Sequence, residues 1–217
     1  MQLQTSLRAL AMAAATLCTA GAAQATITFV TSAGAQPFPT ATRDAFSDLA
    51  LNSAQGLSLL RSAGDFRYIL SSSYTDPTNS SLYVVPAAGT GAVSTGWYAD
   101  SLVFTLLAPT YAWGGNFFGT NMLGEVASGA LTLTVTDAQG TTRSQSIAGN
   151  SLTAFNGIVS DVPLRLVTLS MTAPATSVFA SADNILLSAV PVPEPGSWAL
   201  MLAGGAMMLS LSRRRRR

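Results

Sequence analysis

The last 26 residues, Val192 to Arg217, constrain this chain more than any other stretch, because they remove one end of it from any globular core. They fall into three parts: a rigid Pro193-Glu194-Pro195 triplet, an uncharged run from Gly196 to Ser212, and a closing cluster of five arginines, Arg213, Arg214, Arg215, Arg216 and Arg217. A helix over residues 197–212 would be roughly 24 Å long at about 1.5 Å per residue, short of the ~30 Å of bilayer hydrocarbon. Arginine side chains reaching the headgroups and local thinning of the bilayer make up such a difference. Cationic flanks stay on the cytoplasmic side, so the arginines set the membrane orientation: the C-terminus inside and everything before Pro193 outside. Trp198 then sits at the outer interface, where indole rings concentrate. The plain reading of this tail is a membrane anchor.

The order of the parts carries a further expectation. A Pro-Glu-Pro triplet, a short apolar helix and a terminal arginine cluster together resemble the PEP-CTERM sorting signal of Gram-negative bacteria, a tail also catalogued as an ice-binding protein C-terminal domain. The resemblance covers Val192 to Arg217, about an eighth of the chain. It implies an exosortase as processing partner, a membrane-embedded transpeptidase that cuts near Pro193, Glu194 and Pro195. It also implies residence in the inner membrane before processing, then release to the cell surface or to an exopolysaccharide or biofilm matrix.

At the other end, residues 1–25 read as a secretory signal peptide. Arg8 and the amino terminus supply the positive region, residues 9–17 the apolar core, and Ala23-Gln24-Ala25 the small residues of a cleavage site. Export by the Sec translocon and cleavage by signal peptidase after Ala25 follow. The apolar run is too short for a membrane span. Cys18 leaves with this segment, since Leu17 before it does not suit lipoprotein cleavage.

Three divisions result: 1–25 as signal peptide, 26–190 as ectodomain, and 191–217 as sorting tail with its transmembrane helix at 197–212. The ectodomain is long enough for one domain with a sizeable core. It has no cysteine, histidine or lysine. Nine acids (Asp44, Asp48, Asp65, Asp76, Asp100, Glu125, Asp137, Asp161 and Asp183) stand against five arginines, giving a net charge of −4. The chain's overall +1 conceals this acidity. An acidic, lysine-free domain makes a poor nucleic-acid partner.

The missing residue types exclude chemistry. Ser-His-Asp and Cys-His nucleophile systems cannot be assembled. Zinc and transition metals lose their usual ligands. Walker phosphate loops and Schiff bases need lysine. Carboxylate chemistry of the glycosidase kind remains, but the acids are scattered along the sequence. The expectation is that the chain is not an enzyme.

The pattern between the ends is that of short strands. Residues 26–31 (TITFVT) are rich in β-branched types. Residues 131–136 alternate Leu131, Leu133 and Val135 with Thr132, Thr134 and Thr136. Residues 137–140 form a hairpin turn. Further strands are expected at 56–60, 66–70, 82–85, 101–107, 110–118, 141–147, 151–159, 164–172 and 178–189. Residues 86–96 read as a mobile Gly-, Ala- and Thr-rich segment. One helix is expected over 40–52, with Thr40 or Thr42 as N-cap and Ala45, Phe46, Leu49 and Ala50 on one face. The fold class is therefore all-β, an antiparallel, jelly-roll-like β-sandwich with one short N-terminal helix. The stretch from Trp97 to Ala189 also resembles the sandwich ectodomains found before PEP-CTERM tails, through residues 114–119, 155–161 and 182–185.

Three groups are candidates for function. Asp183 and Asn184 offer oxygens of the kind calcium takes, though the same pair serves equally for turns and caps; no other cofactor is expected. Trp97, Tyr98, Tyr111 and Trp113 could stack on sugar rings, while sandwich cores also draw on aromatics. Of these, Trp97, Tyr98 and Tyr111 lie near loops. The Thr132, Thr134 and Thr136 row invites an ice-binding reading, but a single row reads as a solvated strand face. The functional expectation is a secreted, surface-sorted, non-enzymatic protein of the envelope or exopolysaccharide matrix. The alternatives are a carboxylate-dependent extracellular glycan hydrolase and a permanently membrane-anchored binding protein.

Overall fold

The computed structural model describes residues 26–87, 90–173 and 177–191. The signal peptide expected at 1–25 and the transmembrane helix expected at 197–212 lie outside the described residues. So do the sorting triplet Pro193, Glu194 and Pro195 and the orienting cluster Arg213, Arg214, Arg215, Arg216 and Arg217. Thirteen strands run in the order β1 (Ile27–Val30), β2 (Thr42–Asp44), β3 (Ser53–Gly56), β4 (Ser58–Ala63), β5 (Phe66–Ser72), β6 (Leu82–Ala87), β7 (Thr90–Thr95), β8 (Leu102–Thr120), β9 (Val126–Ala127), β10 (Ala130–Asp137), β11 (Thr142–Ala148), β12 (Phe155–Met171) and β13 (Phe179–Ser188). Every pairing is antiparallel. Among the described residues no helix is long and apolar enough to cross a membrane.

Two strands organise the rest. β8 spans 19 residues and β12 spans 17, several times the usual strand length of about five or six. The sequence pattern divides each into two strands; in the structure each is continuous and passes from one sheet into the other. The first sheet runs β11-β10-β12-β8-β5-β4, using the C-terminal half of β12 and the N-terminal half of β8. The second runs β1-β12-β8-β13-β7-β6-β3, using their opposite halves. β2 extends this sheet along the far end of β13, and β9 borders the end of β8. The β8–β12 register shifts on both sides of the Leu164–Thr110 pair. Pro109 and Pro163 adjoin that pair, and a strand tolerates proline at an irregularity of this kind because no ladder donor is needed there.

The two sheets fold together over one core, as sandwiches with sheet-switching strands do. Leu131, Leu133 and Val135 of β10 face inward, as their alternation requires. They meet Val167, Leu169 and Met171 of β12, Leu102 and Phe104 of β8, and Ala180, Ala182, Ile185 and Leu187 of β13. Each large aliphatic side chain withdrawn from water contributes about 1.5–3 kcal/mol. Trp113 is fully buried, with its ring 5.1 Å from Phe117 and nearly parallel, and 4.8 Å from Phe104 edge-on. Gly114 of β8 stands opposite Gly157 of β12, and a side chain there would press within 2.8 Å of the Gly157 backbone.

Two expectations are corrected. Residues 40–52 are not a helix. A short 3-10 turn at Phe38–Thr40 leads into β2, whose Thr42, Arg43 and Asp44 pair with Leu187, Leu186 and Ile185 of β13. Asp44 then accepts a hydrogen bond from the Phe46 backbone N–H at 3.0 Å, and Phe46 turns to a positive φ of 53°. Helical propensity over a window of this length is worth too little to resist a distant strand and a buried ion pair. Within 86–96, expected to be mobile, residues 90–95 instead form β7, whose Ala92 and Val93 are fully buried and which pairs antiparallel with β6. Small residues here mark close packing.

Candidate functional site

An open groove of about 470 Å³ lies over the β3-β6-β7 end of the second sheet. Tyr83 and Ser94 stand directly opposite each other in the β6–β7 register and both line it. Thr78, Asn79 and Ser81 form one rim, and Asn121 and Met122 the other. No lining residue carries a charge.

Both rims are fixed by polar groups set behind them. Asp100, almost fully buried, accepts hydrogen bonds from the Ser72 hydroxyl, the Thr75 hydroxyl and the Thr75 N–H. Burial pushes its carboxyl up, but these donors outweigh it and hold it below the ordinary carboxylate value. Asp76 is held low by the N–H groups of Thr78 (2.8 Å) and Asn79 (2.9 Å). It also accepts from the Asn79 side chain at 3.2 Å. Together they pin the 73–81 loop. Gly96 donates to the Ser81 carbonyl at 2.7 Å, and a side chain at 96 would lie 2.3 Å from Ser81 Oγ, so glycine permits this approach. On the other side, Asn121 Oδ1 accepts the N–H groups of Leu123 (2.9 Å) and Glu125 (3.0 Å), while its Nδ2 donates to Glu125 at 2.8 Å. That tight loop leaves Met122 82% and Leu123 73% exposed.

The groove rests on a buried hydroxyl cluster. Ser181 Oγ donates to Ser94 Oγ at 2.9 Å, and Thr120 Oγ1 lies 2.7 Å from Ser181 Oγ. Beside it, Thr95 also lines the groove, is 2% exposed, and its Oγ1 has no hydrogen-bond partner among the described residues.

The aromatic candidates separate into two kinds. Trp97 and Tyr98 follow Gly96 immediately and are half-buried, with ring centroids 4.4 Å apart. Tyr111 is half-buried on β8 and joins neither aromatic cluster among the described residues. Trp113 is enclosed in the core and offers no face to a sugar.

Asp183 and Asn184 occupy an irregularity in β13 between β8 and β2. Asp183 Oδ1 accepts the Asn184 N–H at 2.6 Å. The Asn184 amide donates to Asn116 at 2.9 Å and to Asp183 at 3.0 Å, and Arg43 donates to its Oδ1. Asn184 takes a positive φ of 54°, which asparagine tolerates better than most residues. A guanidinium therefore meets the oxygen that calcium would need, and no group of three acids gathers among the described residues. The arrangement fits a hydrogen-bonded bulge and does not fit a calcium cage.

A second cleft, at β2 and β4, holds the one place where two acids converge among the described ion pairs. Arg61 donates to Asp44 at 2.7 and 3.0 Å and to Asp48 at 2.7 Å through two nitrogens. Tyr68 donates to Asp44 at 2.7 Å, and Arg61 lies over the Phe46 ring. Hydrogen bonding to Arg61 lowers the Asp48 carboxyl, and Asp48 in turn raises the guanidinium. Burial, with the Asp44 charge adding to it, raises the Tyr68 phenol far above its ordinary value. Glycoside hydrolysis needs one carboxyl held protonated, and Asp48 is pushed the other way.

The threonine face is self-satisfied. Thr132 pairs with Thr172, Thr134 with Ser144 and Thr136 with Thr142, at 2.8 to 2.9 Å between hydroxyls. Sequence reasoning misses the groove entirely, since its lining comes from several separate short segments.

Comparison with known proteins gives the tail a clear match. Residues 191–217 match the PEP-CTERM protein-sorting motif. The tail thus carries that motif, as its three parts imply, and the match takes in Pro193, Glu194 and Pro195 together with Arg213, Arg214, Arg215, Arg216 and Arg217. No curated protein matches the chain. Two solved carbohydrate-binding modules are similar. TmCBM61, solved in complex with β-1,4-galactotriose, is 20% identical, covering 56% of this chain and 87% of its own, with a TM-score of 0.35. A family 29 carbohydrate-binding module is 13% identical, covering 80% and 94%, with a TM-score of 0.29. The enzymatically active domain of bacteriophage CBA120 tailspike protein 4 is 12% identical, covering 76% and 20%, with a TM-score of 0.24.

Proposed function

We propose that the chain is an exported, non-enzymatic protein that an exosortase processes at Pro193-Glu194-Pro195 and that then resides at the cell surface or in an exopolysaccharide matrix, contacting glycan through its sandwich domain. The observation that carries this reading is the sorting motif at residues 191–217. The five terminal arginines hold the precursor in the inner membrane with the sandwich outside. The Trp97–Tyr98 pair supports glycan contact, being an aromatic pair at a loop rather than in the core.

The test is the intact mass of the mature protein from its native host, with the matrix polysaccharide fraction assayed for bound protein. A chain ending near Pro193 to Pro195 and retained on that polysaccharide is the expected result. A mass running from Thr26 to Arg217 would mean a permanent anchor and would overturn the sorting reading.

A further inference from the structure

We infer that Asp161 is the receiving group for the amino terminus created by cleavage between Ala25 and Thr26, so that maturation itself fastens the first strand to the sheet. This rests on the export reading above.

The sequence before the domain leaves three places open to the cut. Small residues stand at both ends of Ala20-Gly21-Ala22, Gly21-Ala22-Ala23 and Ala23-Gln24-Ala25, and each triplet meets the small-residue rule for a cleavage site. The structure separates them. The Thr26 backbone N–H donates to Asp161 Oδ1 at 2.8 Å. Asp161 follows Ser160, the β12 partner of Ile27, so its carboxylate stands one step beyond the last rung between β1 and β12. Hydrolysis of the Ala25–Thr26 bond by signal peptidase takes up one water. Ala25 keeps the new carboxylate, and the Thr26 nitrogen takes the protons and becomes an ammonium. A neutral amide donor is thereby replaced by a cation facing the same carboxylate, and opposite charges at this distance attract. A cut after Ala22 or Ala23 would place the charge three or two residues before Thr26 and leave the Asp161 contact an amide one.

Asp161 is uncommitted to any other charge. Among the described residues the ion pairs are those of Arg61 with Asp44 and Asp48, and Asp161 bonds to no arginine. The strand it would hold needs an anchor. β1 is four residues long and pairs with β12 alone. Ile27 and Phe29 pack on the main core, and Val30 packs on the cluster of Phe38, Ala112 and Val159. Terminal segments open at the least cost, and opening of β1 would uncover both clusters. A charge pair at Thr26 secures the end from which that opening starts.

The chain contains no lysine, so after the cut the Thr26 α-amine is its one primary amine, and an amine-selective acetylating reagent modifies that nitrogen alone. Acetylation keeps an N–H donor and removes the charge. The experiment compares the chain from Thr26 to Arg217, in detergent, with its acetylated form by hydrogen exchange of the amides of residues 27–30, and repeats the comparison in Asp161→Asn. Acetylation should speed exchange about two- to fivefold in the parent, the size of a partly exposed ion pair, and should change nothing in Asp161→Asn. Equal exchange in the two parent forms, or the same acetylation effect in Asp161→Asn, would overturn the inference. The protein exported by its native host should begin at Thr26 on amino-terminal sequencing. A start at Ala23 or Gln24 would overturn the inference and leave the export reading standing, whereas a start at Met1 would overturn both.

Discussion

The Arg61 cleft and the β6–β7 groove are similar in size and opposite in electrostatics. In the cleft, two carboxylates, a guanidinium and a phenol lie against one another, and Arg61 alone makes four hydrogen bonds to the carboxylates. In the groove no charge lines the walls, and the Ser94, Thr120 and Ser181 hydroxyls beneath it satisfy one another. A cleft rich in ionisable groups looks the more chemical of the two. Its groups are nevertheless spent on each other, and what they hold together is β2, β4 and β5. The groove has fewer polar groups, and none of its lining side chains carries a charge. The comparison teaches that a crowd of ionisable groups does not mark a reactive place when those groups are committed to one another and to the fold.

The sharpest way to break this comparison is Asp44→Ala. Removing one partner of a buried ion pair strands the others, so a loss of about 3–5 kcal/mol is expected in chemical denaturation. Sugar binding in the surviving folded protein should be unchanged, and a loss of affinity would show that the two regions are coupled. Next in size is Asp100→Ala, which leaves the Ser72 and Thr75 donors unpaired and should cost about 1–3 kcal/mol. Asp100→Asn adds the pH dependence. The Asp100 carboxyl is held below its unfolded value of about 3.9. Its stabilisation is therefore fully present above about pH 4 and is lost as pH falls through the lower folded value. Tm measured from pH 6 to pH 2 should fall more steeply for the parent than for Asp100→Asn; parallel curves would refute the assignment. The smallest effect belongs to Asp48→Ala. Asp48 is 65% exposed, so its half of the Arg61 pairing should be worth no more than about 1 kcal/mol in a urea titration. A larger loss would mean that the cleft depends on both carboxylates equally.

What the sequence reveals follows the same division between local and distant causes. The alternation at residues 131–136 and the hairpin at residues 137–140 depend on neighbours in sequence, and β10, β11 and their turn stand where those patterns put them. Trp113 and Trp97 sit close together in sequence, and only their places in the sheet decide that one is core and the other lies at a loop. The 40–52 helix fails because Asp44 is claimed by Arg61 and Tyr68, 17 and 24 residues away. Dividing β8 and β12 at a proline follows a sound rule for a regular strand, yet Pro109 and Pro163 fall where the ladder shifts and no donor is needed. The groove is illegible because no pattern along the chain joins Ala54, Tyr83, Thr95 and Met122. The tail is legible because its meaning is carried by the order of adjacent parts.

One property of β13 concerns its response to a lengthwise pull. Phe179, its first residue, lines the groove, and its last, Ser188, leads directly into the linker before the tail. A load applied between the groove and the C-terminus would therefore pass lengthwise along this single ten-residue strand. β8 flanks it on one side and β7 and β2 on the other. Ladder hydrogen bonds lie across the strand direction, so such a pull shears many of them together instead of unzipping them singly. A strand loaded in this way is held like a lap joint, the geometry that resists a lengthwise pull best.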